Sequence, residues 1–111
     1  VDWERLLDEP MVIFPSGYNQ RSIVNRMASA LGKPLTIAIE SDSARFVSAM
    51  VAAGLGVSVV LGAVVNEFPD VVRIPIADKP TLPIWLCRRE GTAVGLAANA
   101  LFEDIVARAD A

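Results

Sequence analysis

Two hydrophobic rhythms alternate along this chain: short solid apolar runs, and longer stretches whose apolar residues recur three or four apart. Met11-Val12-Ile13-Phe14 is the first solid run, held between Pro10 and Pro15. A short continuous run between breakers predicts a strand buried on both faces. Leu35-Thr36-Ile37-Ala38-Ile39 predicts the next strand, and residues 57–61, 71–76 and 84–89 predict three more. Between the first two, Ile23, Val24, Met27, Ala28 and Leu31 fall at helical spacing. That helix starts near Asn19, a residue able to cap it, and stops at Gly32 and Pro34. Ser41, Asp42 and Ser43 are all good caps for a following helix that reaches Ala53, with Phe46, Val47, Met50 and Val51 as its inner face. Gly54 ends it, and Gly56 permits a tight entry to the third strand. Residues 1–7 read as a short helical turn, and residues 62–68 as a short helix or turn. Thr92 can cap a last helix to Arg108, with Val94, Ala97, Ala98, Leu101, Phe102 and Ile105 on one face.

Strands alternating with helices predict an α/β fold with a mostly parallel sheet covered by helices on both faces. In such sheets ligands bind beyond the carboxyl ends of the strands. Two loops should lie there, residues 15–19 and 40–43. Each leads into a helix whose first backbone N–H groups are free and carry partial positive charge, which suits a carboxylate or a polar neutral group. Ser16, Asn19, Gln20, Ser41 and Ser43 add neutral hydrogen-bonding side chains, and Tyr18 adds a ring face and a hydroxyl. The plainer reading of the same residues is caps and turn formers. Glu40 and Asp42, in the second loop, count against a strongly anionic ligand.

Composition narrows the chemistry. The 111 residues are 53% hydrophobic, enough for one core and too few for two ordinary domains. No apolar run reaches the roughly 18 residues of a membrane span, and the acidic start Val1-Asp2-Trp3-Glu4 does not read as a signal peptide. The chain begins on Val1 rather than Met, so we expect it to be part of something longer. Net charge is −3, and only Arg88-Arg89 are adjacent basic residues, so the basic footprint of a nucleic-acid surface is missing. Histidine is absent. That removes Ser–His and Cys–His nucleophiles and most transition-metal sites. The single cysteine, Cys87, excludes an internal disulfide, fits a reducing compartment and is expected to be a buried small hydrophobe. The Glu40 and Asp42 pair reads as loop and cap rather than an acid–base couple. Gly54-Leu55-Gly56 lacks the third glycine of a dinucleotide fingerprint and follows a helix instead of a strand, so it reads as a helix end. Trp3 and Trp85 read as core or hinge packing. We expect no catalytic residue, no metal and no cofactor.

One ordered series is familiar. Asp8-Glu9-Pro10-Met11-Val12-Ile13-Phe14-Pro15-Ser16-Gly17 precedes a helix and Gly32-Lys33-Pro34. Then come Ile39-Glu40, a helix, and Val51-Ala52-Ala53-Gly54-Leu55-Gly56-Val57-Ser58-Val59-Val60, followed by Val72-Arg73-Ile74-Pro75-Ile76 and Ile84-Trp85-Leu86-Cys87-Arg88-Arg89. This order resembles the C-terminal effector-binding domain of LysR-type transcriptional regulators over nearly the whole chain. Gly62 departs from the family, which often has proline there. The resemblance implies a periplasmic-binding-protein-like (type II) effector lobe, incomplete in this chain. Residues 1–82 would be most of the second lobe, and residues 83–111 a hinge strand and a C-terminal helix returning to the first lobe. It implies an effector-sensing fragment that binds a small organic molecule, such as a carboxylate, in the cleft. The cleft positions carry over to Ser16, Tyr18, Asn19, Gln20, Ser41 and Ser43. It further implies a cytoplasmic homo-oligomer that contacts DNA only through an N-terminal domain absent from this chain. The alternatives are a solute-binding fragment of a transport system and an enzyme, the latter disfavoured by the missing histidines.

Overall fold

A computed structural model describes residues 1–91 and 95–109. Five helices and two strands follow one another among them: α1 (Trp3–Leu6), β1 (Met11–Ile13), α2 (Asn19–Leu31), β2 (Ile37–Glu40), α3 (Ala44–Ala52), α4 (Gly62–Val65) and α5 (Leu96–Ala109). The chain divides into two compact units, Val1–Thr81 and Leu82–Ala111.

β1 is the centre of the first unit. All three of its residues are buried, as a solid apolar run between two prolines demands. β2 pairs with it in parallel, with Met11 opposite Ile37, Val12 opposite Ile39 and Ile13 opposite Glu40; the register slips by one residue between Met11 and Val12. On its other edge, among the described residues, β1 pairs only with Val57. The Val57 N–H donates to the Pro10 carbonyl at 2.9 Å and the Val12 N–H to the Val57 carbonyl at 2.8 Å. The expected strand over 57–61 therefore shrinks to a single parallel bridge. A ladder extends only as far as both backbones can pair, and Pro15, just past β1, has no N–H to offer.

Period-two alternation sends Val12 and Phe14 to one face of β1 and Met11 to the other. Val12, Phe14 and Val47 of α3 form one buried cluster, joined by Ile39, Ala44, Met50, Val51 and Val60. Val47 is thus on the inner face of α3 as expected, while Phe46 is exposed. At 100° per residue, the Ala44-Val47-Met50-Val51 row faces the sheet and Phe46 falls outside it. In α2, Ile23, Val24 and Ala28 are buried, while Leu31 at the helix end is exposed. Gly32 closes α2 in the left-handed region (φ 62°). After α3, the Leu55 N–H bonds the Met50 carbonyl and the Gly54 N–H the Val51 carbonyl, with Gly54 at φ 82°. Both helices end in this glycine-dependent motif, which uses up carbonyls otherwise left open.

The segments 71–76 and 84–89 are not strands. Val72, Ile74, Ile84 and Trp85 are exposed. Apolar, β-branched composition favours extended backbone, but a strand also needs a neighbour to take its hydrogen bonds. The 71–76 segment instead continues into contacts with the N-terminus. Val1 donates to the Pro75 carbonyl at 2.8 Å and the Ala77 N–H to the Val1 carbonyl at 2.8 Å. The Trp3 indole N–H is shared by both oxygens of Asp78 at 3.2 Å, so Trp3 is a core residue with its one donor satisfied.

In the second unit, Arg88 donates to Asn99 at 2.7 Å and to Glu103 at 3.1 Å, and lies 4.3 Å from the centre of the Phe102 ring. Cys87 is exposed, against expectation, because no sheet forms there to cover it. None of the residues described in α5 is buried. Thr92, the expected cap, and Val94 lie outside the described residues.

Candidate functional site

The carboxyl ends of β1 and β2 lie side by side. The Ser41 N–H donates to the Ile13 carbonyl at 3.0 Å, which carries the parallel pairing one step past β2. The 15–18 and 41–43 loops therefore leave the sheet from adjacent strands, at the same edge, as the strand–helix alternation predicts. Each then turns into a helix, α2 and α3.

The two helix starts are not equivalent. Ser43 caps α3 through its hydroxyl, which accepts from the Phe46 N–H at 3.2 Å, and the Ser41 hydroxyl accepts from the Ser43 N–H at 3.2 Å. Both serines thus spend acceptor capacity on the backbone, and each keeps its O–H proton to donate. At α2 the cap position belongs to Tyr18, not Asn19, and Tyr18 makes no side-chain cap bond. Gly17 takes φ 99° in the turn before it, which moves the start of the helix one residue earlier than the cap preference of asparagine suggests. The Tyr18 ring instead packs 5.4 Å from the Phe14 ring, tilted by 34°. Asn19 becomes the first helical residue, exposed beside an uncapped set of N–H groups. Ser16 is exposed, and Gln20 and Ser41 are half-buried.

Arg21, which the sequence pattern did not single out, lies between the loops. Its Nη1 donates to the Phe14 carbonyl and to Glu40 Oε2, both at 3.1 Å, and its Nε donates to Asn25 Oδ1 at 3.0 Å. Phe14 is the last residue before the first loop and Glu40 the last before the second. Glu40 is therefore a paired carboxylate, and the charge expected to weigh against an anionic ligand is balanced by the guanidinium; Asp42 remains exposed. A signal that would have found Arg21 went unused: a cation in the first turn of a helix opposes the helix dipole and needs acceptors from elsewhere.

The edge so built offers open helix N–H groups, hydroxyl donors and a tyrosine ring. No group of acidic, cysteine or histidine residues among the described residues is placed to hold a metal ion. The family model described as the LysR substrate binding domain matches residues 1–110. The chain belongs to this family. LysR substrate-binding domains belong to transcriptional regulators, and their fold is periplasmic-binding-protein-like; the two-stranded parallel sheet with its helices is an incomplete form compatible with it. No curated protein and no solved structure matches this LysR domain. Among the described residues no helix is long and apolar enough to cross a membrane.

Proposed function

We propose that this LysR substrate-binding domain is the sensing part of a DNA-binding transcriptional regulator and binds a small organic effector, such as a carboxylate, at the carboxyl edge of β1 and β2. The family match over residues 1–110 carries this reading. The convergence of the 15–18 and 41–43 loops supports the location. Ser16, Tyr18, Asn19, Gln20, Ser41 and Ser43 are the proposed effector contacts. The uncapped start of α2 supplies N–H groups to a carboxylate, and the serine hydroxyls donate to the same group. Residues 1–82 are proposed as most of the second lobe of a type II effector domain with helices on both faces of its sheet. Residues 83–111 are proposed as the hinge segment, which becomes a strand only when the first lobe is there to pair with it, and the helix returning to that lobe. The regulator works as a cytoplasmic homo-oligomer and reaches DNA through an N-terminal domain outside this chain. The effector acts by its differential affinity for two arrangements of lobes or subunits.

A thermal-shift screen of the full-length regulator against a library of small organic acids tests this. An effector present at about 100 times its Kd stabilises the folded state by about 2.7 kcal/mol. The expected hit raises the melting temperature of the wild type and loses that effect in Asn19→Ala. Asn19 is the better probe because it makes no cap bond, whereas Ser43→Ala also removes the cap of α3. A hit that survives Asn19→Ala, Gln20→Ala and Ser41→Ala would place the site elsewhere.

A further inference from the structure

Arg21 sits where a cation is locally disfavoured, in the first turn of α2, and yet its side chain is only 12% exposed. Three acceptors hold it there: Asn25 on its own helix, the Phe14 carbonyl at the end of β1, and Glu40 at the end of β2. A rigid planar fork that serves a backbone carbonyl and a carboxylate from one nitrogen fixes their separation in a way a flexible ammonium does not. Phe14 and Glu40 are the residues from which the two candidate loops depart.

We infer that Arg21 is the positioning residue of this edge: it joins the 15–18 and 41–43 loops into one unit, so that a change at one is transmitted to the other. Naming that edge an effector site rests on the function proposed above; the mechanical coupling does not. The competing account is a partly solvated ion pair of little consequence, with two loops that respond independently.

Backbone amide chemical shifts of the full chain, without any ligand, decide between them. Glu40→Gln removes one carboxylate charge at the end of β2, where the second loop departs, and keeps the shape of the side chain. It is expected to move the amides of Ser16 and Tyr18 as well as those of Ser41 and Ser43. In the Arg21→Gln background, the same Glu40→Gln change is expected to leave Ser16 and Tyr18 where they were, while still moving Ser41. Persistence of the Ser16 and Tyr18 shifts in that background would overturn the inference, since the signal would be travelling through space or through the sheet. Val12 and Val24 methyl signals report whether Arg21→Gln keeps the core. If it does not, Arg21→Lys takes its place, and it is expected to weaken the coupling because one ammonium replaces the fork; undiminished coupling there would equally overturn the inference. A regulator that binds nothing at these loops would leave this result standing and sink only the functional reading.

Discussion

Gly56→Ala is the substitution that tests the architecture around β1 most directly. Gly56 is not in the left-handed region; what requires glycine there is proximity. A Cβ at this position would overlap the Pro10 carbonyl oxygen, with the Pro10 carbonyl carbon at 3.0 Å and the Met11 nitrogen at 3.5 Å. These are backbone atoms of the chain entering β1, so no side chain can swing away. Relief requires Val57 to move off β1, which stretches the bonds at 2.9 and 2.8 Å that form the bridge. Overpacking costs about 1–3 kcal/mol and each backbone bond about 1 kcal/mol net, so the expected loss is roughly 3–5 kcal/mol. That is a large share of the stability of a small domain. Two other glycines calibrate it. Gly54→Ala meets open space but must hold φ 82°, at about 1 kcal/mol. Gly62→Ala meets only the Arg73 side chain at 3.6 Å, in a short helix, and should stay within about 0.5 kcal/mol of wild type. Urea unfolding of the three variants, followed by the far-ultraviolet circular dichroism signal, gives the order. A Gly56→Ala midpoint no lower than that of Gly54→Ala would refute the close approach of Gly56 to the Pro10 carbonyl.

Asp8 accepts a hydrogen bond from Lys33, and that bond, aided by the ammonium charge, holds its carboxyl below the ordinary value. A depressed folded-state pKa contributes stability above the unfolded value, about 4, and that contribution disappears as pH falls through the folded value. Carbon-detected titration of Asp8 should therefore show its midpoint rising in Lys33→Met; an unmoved midpoint would mean the pair does not form in solution. Met11→Ala, at a fully buried site, should cost about 2–5 kcal/mol by denaturant unfolding, and a loss under 1 kcal/mol would show the β1 core to be loose. The Ser58 hydroxyl is buried with no hydrogen-bond partner among the described residues, so Ser58→Ala should raise stability by about 1 kcal/mol; a loss instead would reveal a partner for that oxygen. The exposed apolar residues Leu96, Leu101 and Ile105 of α5 should make the full chain self-associate, and a monomer of sharp mass by light scattering, with no binding of a hydrophobic dye, would contradict that.

The amino-acid sequence by itself determined the elements whose signals are local. Pro10, Pro15 and the four apolar residues between them mark β1; Gly32 and Gly54 end α2 and α3 because their left-handed turns need no neighbour. Ser43 caps α3 for the same reason, since its hydroxyl reaches an N–H three residues away. The edge carrying the two loops follows from the strand–helix order. Tertiary structure decided what depends on a distant partner. The apolar runs at 57–61, 71–76 and 84–89 look like strands, but a strand exists only where another backbone accepts its hydrogen bonds, and β1 offers Val57 a single bridge. Phe46 has helical spacing yet is exposed, because it is the Val47 row of α3 that packs on Val12 and Phe14. Cys87 is exposed for want of a sheet above it. Arg21 shows the limit most clearly: its partners Phe14 and Glu40 lie seven and nineteen residues away, at the ends of two strands whose adjacency comes from pairing rather than from any local preference. Residue type alone gives an arginine its charge, and only the meeting of β1, β2 and α2 makes it the joint between the loops.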